Sequence, residues 1–201
     1  MTYRRPYLDI GEFRDERGAV IDYGNRWEST PSNASYSVEP YPERFAPLLV
    51  VARALIDYVA TTYDAATDIS DEAAVFLPAG QAARLRFELD SESYTVRLEA
   101  GALAKYSFPS CGCDACDESV EDLAEDLEQT VFAVVSGRLI ERVGPGKAYI
   151  ELTRNDGGAS SSESPIEWRD RRRMRRIGRE IPDRWLPWLP KRSVDAGFAD
   201  S

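Results

Sequence analysis

Leu85-Arg86-Phe87-Glu88-Leu89, Asp90-Ser91-Glu92-Ser93 and Tyr94-Thr95-Val96-Arg97-Leu98-Glu99 together form the stretch whose reading decides the fold class. Leu85, Phe87 and Leu89 alternate with Arg86 and Glu88, and Tyr94, Val96 and Leu98 alternate with Thr95, Arg97 and Glu99. Successive strand side chains point to opposite faces, so each run reads as a strand with one buried and one wet face. The polar connection between them is too short for a crossover and forces antiparallel pairing. Ala73 to Leu77 precedes them through the turn Pro78-Ala79-Gly80 and adds a third strand to the same sheet.

Helical spacing flanks this sheet. From Glu43 to Tyr63 the apolar positions Leu48, Val51, Ala52, Leu55, Ile56 and Val59 recur at three and four, and Pro47 sits early, where a missing N–H costs little. Val120, Leu123, Leu127, Val131 and Val134 mark a second helix that ends near Gly137, suited to a left-handed cap. Tyr149 to Arg154 and Ser164 to Trp168 flank Asn155-Asp156-Gly157-Gly158 and a serine-rich tip as a long-looped hairpin. Arg169 to Arg179 carries Met174 and Ile177 on one side of a short third helix, and Trp185-Leu186-Pro187-Trp188-Leu189-Pro190 cannot be regular. The order α-β-β-β-α-β-β-α predicts an α+β fold, an antiparallel sheet with helices packed on one face. Residues 1–42, with Tyr3, Tyr7, Phe13, Tyr23, Trp27, Tyr36 and Tyr41 scattered among Pro, Gly and Ser, read as an extended N-terminal arm whose aromatics plug core edges. Residues 43–190 are expected to form a single domain and 191–201 a disordered tail.

With 201 residues, 43% hydrophobic, the chain can bury a core that offsets its ordering entropy. No apolar run follows Met1 long enough for a signal peptide, since Asp9, Glu12 and Arg14 arrive at once. Pro47 to Ala60 is interrupted by Arg53 and Asp57 and falls short of the ~20 residues that span a bilayer. A cytoplasmic protein with no membrane segment is therefore expected. The net charge of −10 is uneven: residues 167–192 hold 10 of the 25 basic side chains and 4 of the 35 acidic ones, so that segment is +6 and the remainder −16. An acidic body repels phosphate backbones and makes a nucleic-acid partner unlikely, and only the basic segment could attract one. The arginine run from Arg169 to Arg179 is expected to lie beside the acidic second helix or stay solvated, with Met174 and Ile177 facing the core.

Chemistry concentrates in one place. Cys111, Cys113 and Cys116 are the only cysteines, and C-x-C-x-x-C is too tight for three independent buried thiols. Thiolates at this spacing can converge on one Zn²⁺, whose tetrahedral shell needs a fourth ligand; Asp117 is the assigned one, with Asp114, Glu118, a distant carboxylate, water or a partner protein as rivals. The chain contains no His, which removes the commonest general base and the usual companion ligand. Thiol redox chemistry, a three-thiolate iron–sulfur cluster and a simple turn capping the second helix through Asp117 or Ser119 are the competing readings. Eight carboxylates lie between Asp114 and Glu128 with no basic residue among them, so the thiols are expected to be held above their ordinary pKa. There is no nucleophile elbow, P-loop or dinucleotide fingerprint, and no base or oxyanion donor can be named. A small interaction module with a zinc loop and a protein partner is favoured over a thiolate or zinc-thiolate enzyme, and over nucleic-acid binding through the basic helix.

Four segments carry a resemblance: Asp22-Tyr23-Gly24-Asn25-Arg26-Trp27, Pro42-Glu43-Arg44-Phe45-Ala46-Pro47-Leu48, Cys111-Gly112-Cys113-Asp114-Ala115-Cys116-Asp117-Glu118 and Trp185-Leu186-Pro187-Trp188. Together they resemble an uncharacterised family of roughly 200-residue proteins from high-GC bacteria. The resemblance implies a cytoplasmic single-domain protein and carries no activity to transfer.

Overall fold

A computed structural model describes residues 2–27 and 29–192; of the tail expected over 191–201, residues 193–201 lie outside the described residues. Strands β1 (Ala65–Ile69), β2 (Ala73–Pro78), β3 (Leu85–Asp90), β4 (Thr95–Ala100) and β5 (Ala104–Phe108) form an antiparallel meander in chain order. In the central hairpin Leu85 pairs with Ala100 and Asp90 with Thr95, which places the opposite charges Arg86 and Glu99, and Glu88 and Arg97, across from one another on the wet face. The other face carries Phe76, Phe87, Leu85, Leu98 and Val96, all fully buried. Against it lies α1 (Ala46–Thr62), whose Leu48, Val51, Ala52 and Leu55 have no exposed surface. Each such side chain contributes about 1.5–3 kcal/mol of burial for the larger aliphatics.

The α+β class and the succession of helix, strands, helix, strands, helix stand as read. The strands divide into two sheets instead of one, because β6 (Leu139–Val143), β7 (Lys147–Thr153) and β8 (Ala159–Pro165) pair only among themselves. β1, β5 and β6 add to the strands expected. β1, Ala-Ala-Thr-Asp-Ile, is exposed beyond its first residue and so lacks an apolar alternation to read. The strand expected at Ser164 to Trp168 begins earlier, at Ala159, and its seven residues are all exposed, which is why its serines look like a loop tip. Helix α2 (Val120–Val135) packs on α1 and β7. It ends in a double cap: Gly137 N–H bonds Val134 O and Arg138 N–H bonds Ala133 O, with Gly137 at φ +69°.

The helical run Pro42–Thr62, 21 residues including the 3-10 turn before α1, reaches bilayer length by composition, contrary to the shorter run expected. Its apolar face is spent on the sheet, so it is the core helix.

The first and last described segments both return to the body. Tyr3 packs edge-on against Tyr58 and Phe132, and its hydroxyl donates to Glu128 at 2.7 Å, beside Arg5, which grips the same carboxylate with Nε and Nη2. Phe13 meets Tyr23 and Tyr41, whereas Tyr7 and Tyr36 remain exposed and plug nothing. At the other end Trp188 is buried, donates Nε1–H to Ala83 O at 2.9 Å, and packs on Tyr63 and Phe76. The strap lies so close to the end of α2 that a Cβ on Gly137 would come within 2.6 Å of Pro187 N. Glu141 on β6 joins the two sheets: it is 2% exposed and accepts from Ala102, Leu103 and Ala104 N–H and from Trp185 Nε1–H.

Helix α3 (Arg171–Glu180) packs on β6, with Gly178 pressed against Val143; of the two seats expected for its arginines, they take the solvated one and not one beside α2. Met174 and Ile177 face inward but stay half-buried, and none of its residues is fully buried.

Candidate metal centre

The segment between β5 and α2 is folded by its own polar residues. Ser119 is the N-cap of α2, accepting Asp122 N–H at 3.1 Å. Glu118 reaches back to accept the Ser110 hydroxyl at 2.5 Å and Cys111 N–H at 3.1 Å, which closes the loop on itself. Cys116 N–H bonds Cys113 O at 3.2 Å in a tight turn, and Asp117 takes the left-handed conformation at φ +51° that lets the chain leave toward the helix. The capping reading and the thiol cluster are therefore both present: one turn serves the other.

The three sulfurs meet. Cys111 Sγ is 3.2 Å from Cys113 Sγ, which is 3.4 Å from Cys116 Sγ, and all three lie within 4.8 Å of one another. Thiolates bound to Zn²⁺ at about 2.3 Å sit about 3.8 Å apart in a tetrahedron, so these two contacts need to lengthen by about half an ångström. Cys113 is buried, Cys111 half-buried and Cys116 exposed, which leaves one side of the cluster open to solvent. Hydrogen bonding with Cys111 and then Cys116 holds the Cys113 thiol below its ordinary pKa, while the same sulfur contacts push Cys116 up to about 12. The expectation that the acidic flank raises every thiol thus fails at Cys113, because its neighbours are sulfurs and not carboxylates. The thiolate favoured by its surroundings is the inaccessible one, and the accessible thiol keeps its proton.

The carboxylates have other partners. Asp114 is buried and paired with Arg26. Asp117 accepts Arg26 N–H on Oδ2 at 2.8 Å, and its Oδ1 is buried without a hydrogen-bond partner. Neither belongs to the set of mutually close ligand atoms, which among the described residues is the three sulfurs alone.

The loop is clamped from outside by residues that the sequence does not assign to it. Trp27 Nε1–H donates to Asp114 O at 3.1 Å, Asp114 N–H to Val38 O at 2.8 Å and Ala115 N–H to Ser35 O at 3.1 Å. Arg44, 3% exposed, donates Nη2–H to Gly112 O at 3.1 Å and lies 4.2 Å over the rings of both Tyr23 and Phe45. Burial pushes its pKa down, against the pull of Tyr23 and nearby acids. Arg26 and Arg44 thus supply the positive charge that the loop's own sequence lacks. The one signal pointing to them is that Asp22 to Trp27 and Pro42 to Leu48 stand beside the cysteine loop among the four segments of the resemblance; the structure brings these three together.

No curated protein and no solved structure matches the chain. A family model does match over residues 9–192, and the chain belongs to that family, DUF6226, a family of unknown function.

Proposed function

We propose that the protein is a cytoplasmic interaction module whose three-cysteine loop holds a zinc ion and presents it at a surface read by another protein. The observation that carries this is the convergence of Cys111, Cys113 and Cys116 Sγ within 4.8 Å on a loop fixed by Arg26 and Arg44. Free thiols with a buried central member fit a reducing compartment. Asp117 is the chain's own fourth ligand in this reading, since its Oδ1 has no other partner while its Oδ2 holds Arg26 N–H. A thiolate enzyme is the weaker reading, because among the described residues the one side-chain hydrogen-bond partner of the exposed Cys116 thiol is the Cys113 sulfur.

Elemental analysis of untagged protein expressed in zinc medium should give about one equivalent of zinc; less than ~0.2 equivalents overturns the proposal. Asp117→Asn should lower zinc affinity by about 10- to 100-fold while the metal stoichiometry stays at one. Unchanged affinity in that variant assigns the fourth position to water or to the partner.

A further inference from the structure

Helix α3 is the most strongly charged surface element of the molecule. Its ten residues include Arg171, Arg172, Arg173, Arg175, Arg176 and Arg179, each exposed, and among the described residues none of these six is in an ion pair. The acidic face of α2 does not answer them: Asp126 is paired with Arg154 at 2.8 Å instead. Side chains three and four apart share a helix face, so Arg171, Arg175 and Arg179 form one ridge, along the flank of the seat, and Arg172 and Arg176 a second that faces out, with neighbours about 5–6 Å apart at Cβ. Met174, Ile177 and Gly178 seat the opposite side on β6, where a Cβ on Gly178 would lie 2.8 Å from Val143. The arginines are thus held on a docked element.

Two further features adjoin the ridges. Trp168, three residues before α3, is 82% exposed. A cavity of about 220 Å³ between α3 and the β6–β7 turn has apolar walls from Val143, Pro145, Ile166 and Met174, with Arg171 and Arg175 among its lining residues. Cations alone would suit any polyanion. An exposed indole and a small apolar slot beside unpaired guanidiniums add two planar-ring sites to the charge. An anionic membrane is a poorer match, because the apolar side of α3 faces β6 and only arginine faces out.

We propose that Trp168 and the outer face of α3 bind single-stranded nucleic acid, Trp168 and the slot taking unpaired bases and the arginine ridges taking phosphates. The body outside residues 167–192 carries a charge of −16. That charge confines contact to this face and disfavours a duplex, whose rigid length would lie against the acidic surface, whereas a single strand can bend away.

The test uses the full chain and fluorescein-labelled 20-mers of oligo(dT) and oligo(U), a 20-base-pair duplex, and inorganic polyphosphate as competitor, read by fluorescence anisotropy. The proposal expects either single strand to bind more tightly than the duplex; their order distinguishes DNA from RNA. With four phosphates contacted, affinity should fall about fifty-fold between about 50 and 200 mM salt. Arg172→Gln with Arg176→Gln should flatten the log–log salt slope by about 1.4. Trp168→Ala should weaken single-strand binding at least about fivefold, and Trp168→Phe should restore most of it. Trp168 is exposed, so the melting temperature checks that these variants stay folded. No binding at low salt, preference for duplex, or Trp168→Ala binding unchanged while polyphosphate competes as well as an oligonucleotide would each overturn the proposal.

Discussion

Glu141 and Glu128 are the same chemical group in similar burial, 2% and 6% exposed, and each ties one of the outer described segments to the body. The difference lies in their donors. Glu141 is held by three consecutive backbone N–H groups of residues 102–104 at 2.6–2.9 Å and by Trp185 of the C-terminal strap. Glu128 is held by Tyr3 and by Arg5, whose side chain is 34% exposed. Backbone donors in a turn cannot follow a lost acceptor into water, whereas a half-exposed guanidinium can. The sheet-to-sheet joint should therefore be the costly one to break and the arm the inexpensive one.

The largest effect expected is from Glu141→Ala, which orphans three N–H groups and the Trp185 indole and should cost about 3–5 kcal/mol in denaturant unfolding. Glu141→Gln keeps an acceptor but loses the charge, and should cost roughly half as much. Glu128→Ala should cost about 1–2 kcal/mol, with limited proteolysis within residues 2–20 accelerated more than global unfolding. If Glu128→Ala proves as costly as Glu141→Ala, the distinction between fixed and mobile donors is wrong.

Tyr3→Phe should have the smallest effect, about 0.5–1.5 kcal/mol at neutral pH, and it also sharpens the pH behaviour. Burial first, and the bond to Glu128 second, raise the Tyr3 pKa well above its ordinary value. A folded-state pKa above the unfolded one means that this contribution is fully present below about pH 10 and is lost as pH rises through the folded value. The arm should therefore loosen in alkali, as followed by proteolysis above pH ~10, and Tyr3→Phe should remove that component. Tyr63 and Tyr106, both raised to about 12 by burial, will give the variant a residual alkaline loss from the core itself.

The parts of the fold that could be read in advance are those whose cause is local. Alternation from Leu85 to Leu98, the apolar spacing of α1 and α2, and the glycine stop at 137 each come from residues within one turn or one hairpin. The division into two sheets is decided by which edges find partners far along the chain, and neither β1 nor the serine strand β8 has an apolar face to announce it. Glu141 looks like any of 35 acidic residues, because its donors are amides 37 to 39 positions away. The cysteine spacing pointed to a shared site, but the clamps at Arg26 and Arg44 lie 88 and 68 residues from their loop partners and carry no spacing signal. For the arginine helix, charge left two seats open, beside α2 or solvated; its arginines are solvated, and its seat is set by the fit of Gly178 against Val143, which no spacing announces.

The strap has a consequence for synthesis. Trp188 fills the gap between Tyr63 and Phe76, and Lys191 N–H closes onto Thr62 O at 2.8 Å, so the last described residues complete a core begun more than a hundred positions earlier. A nascent chain cannot finish that core until residue 188 has left the ribosome, and until then the end of α1 and the β2–β3 connection stay uncovered. Co-translational folding should therefore pause at an open intermediate, which the emergence of residues 185–191 would close.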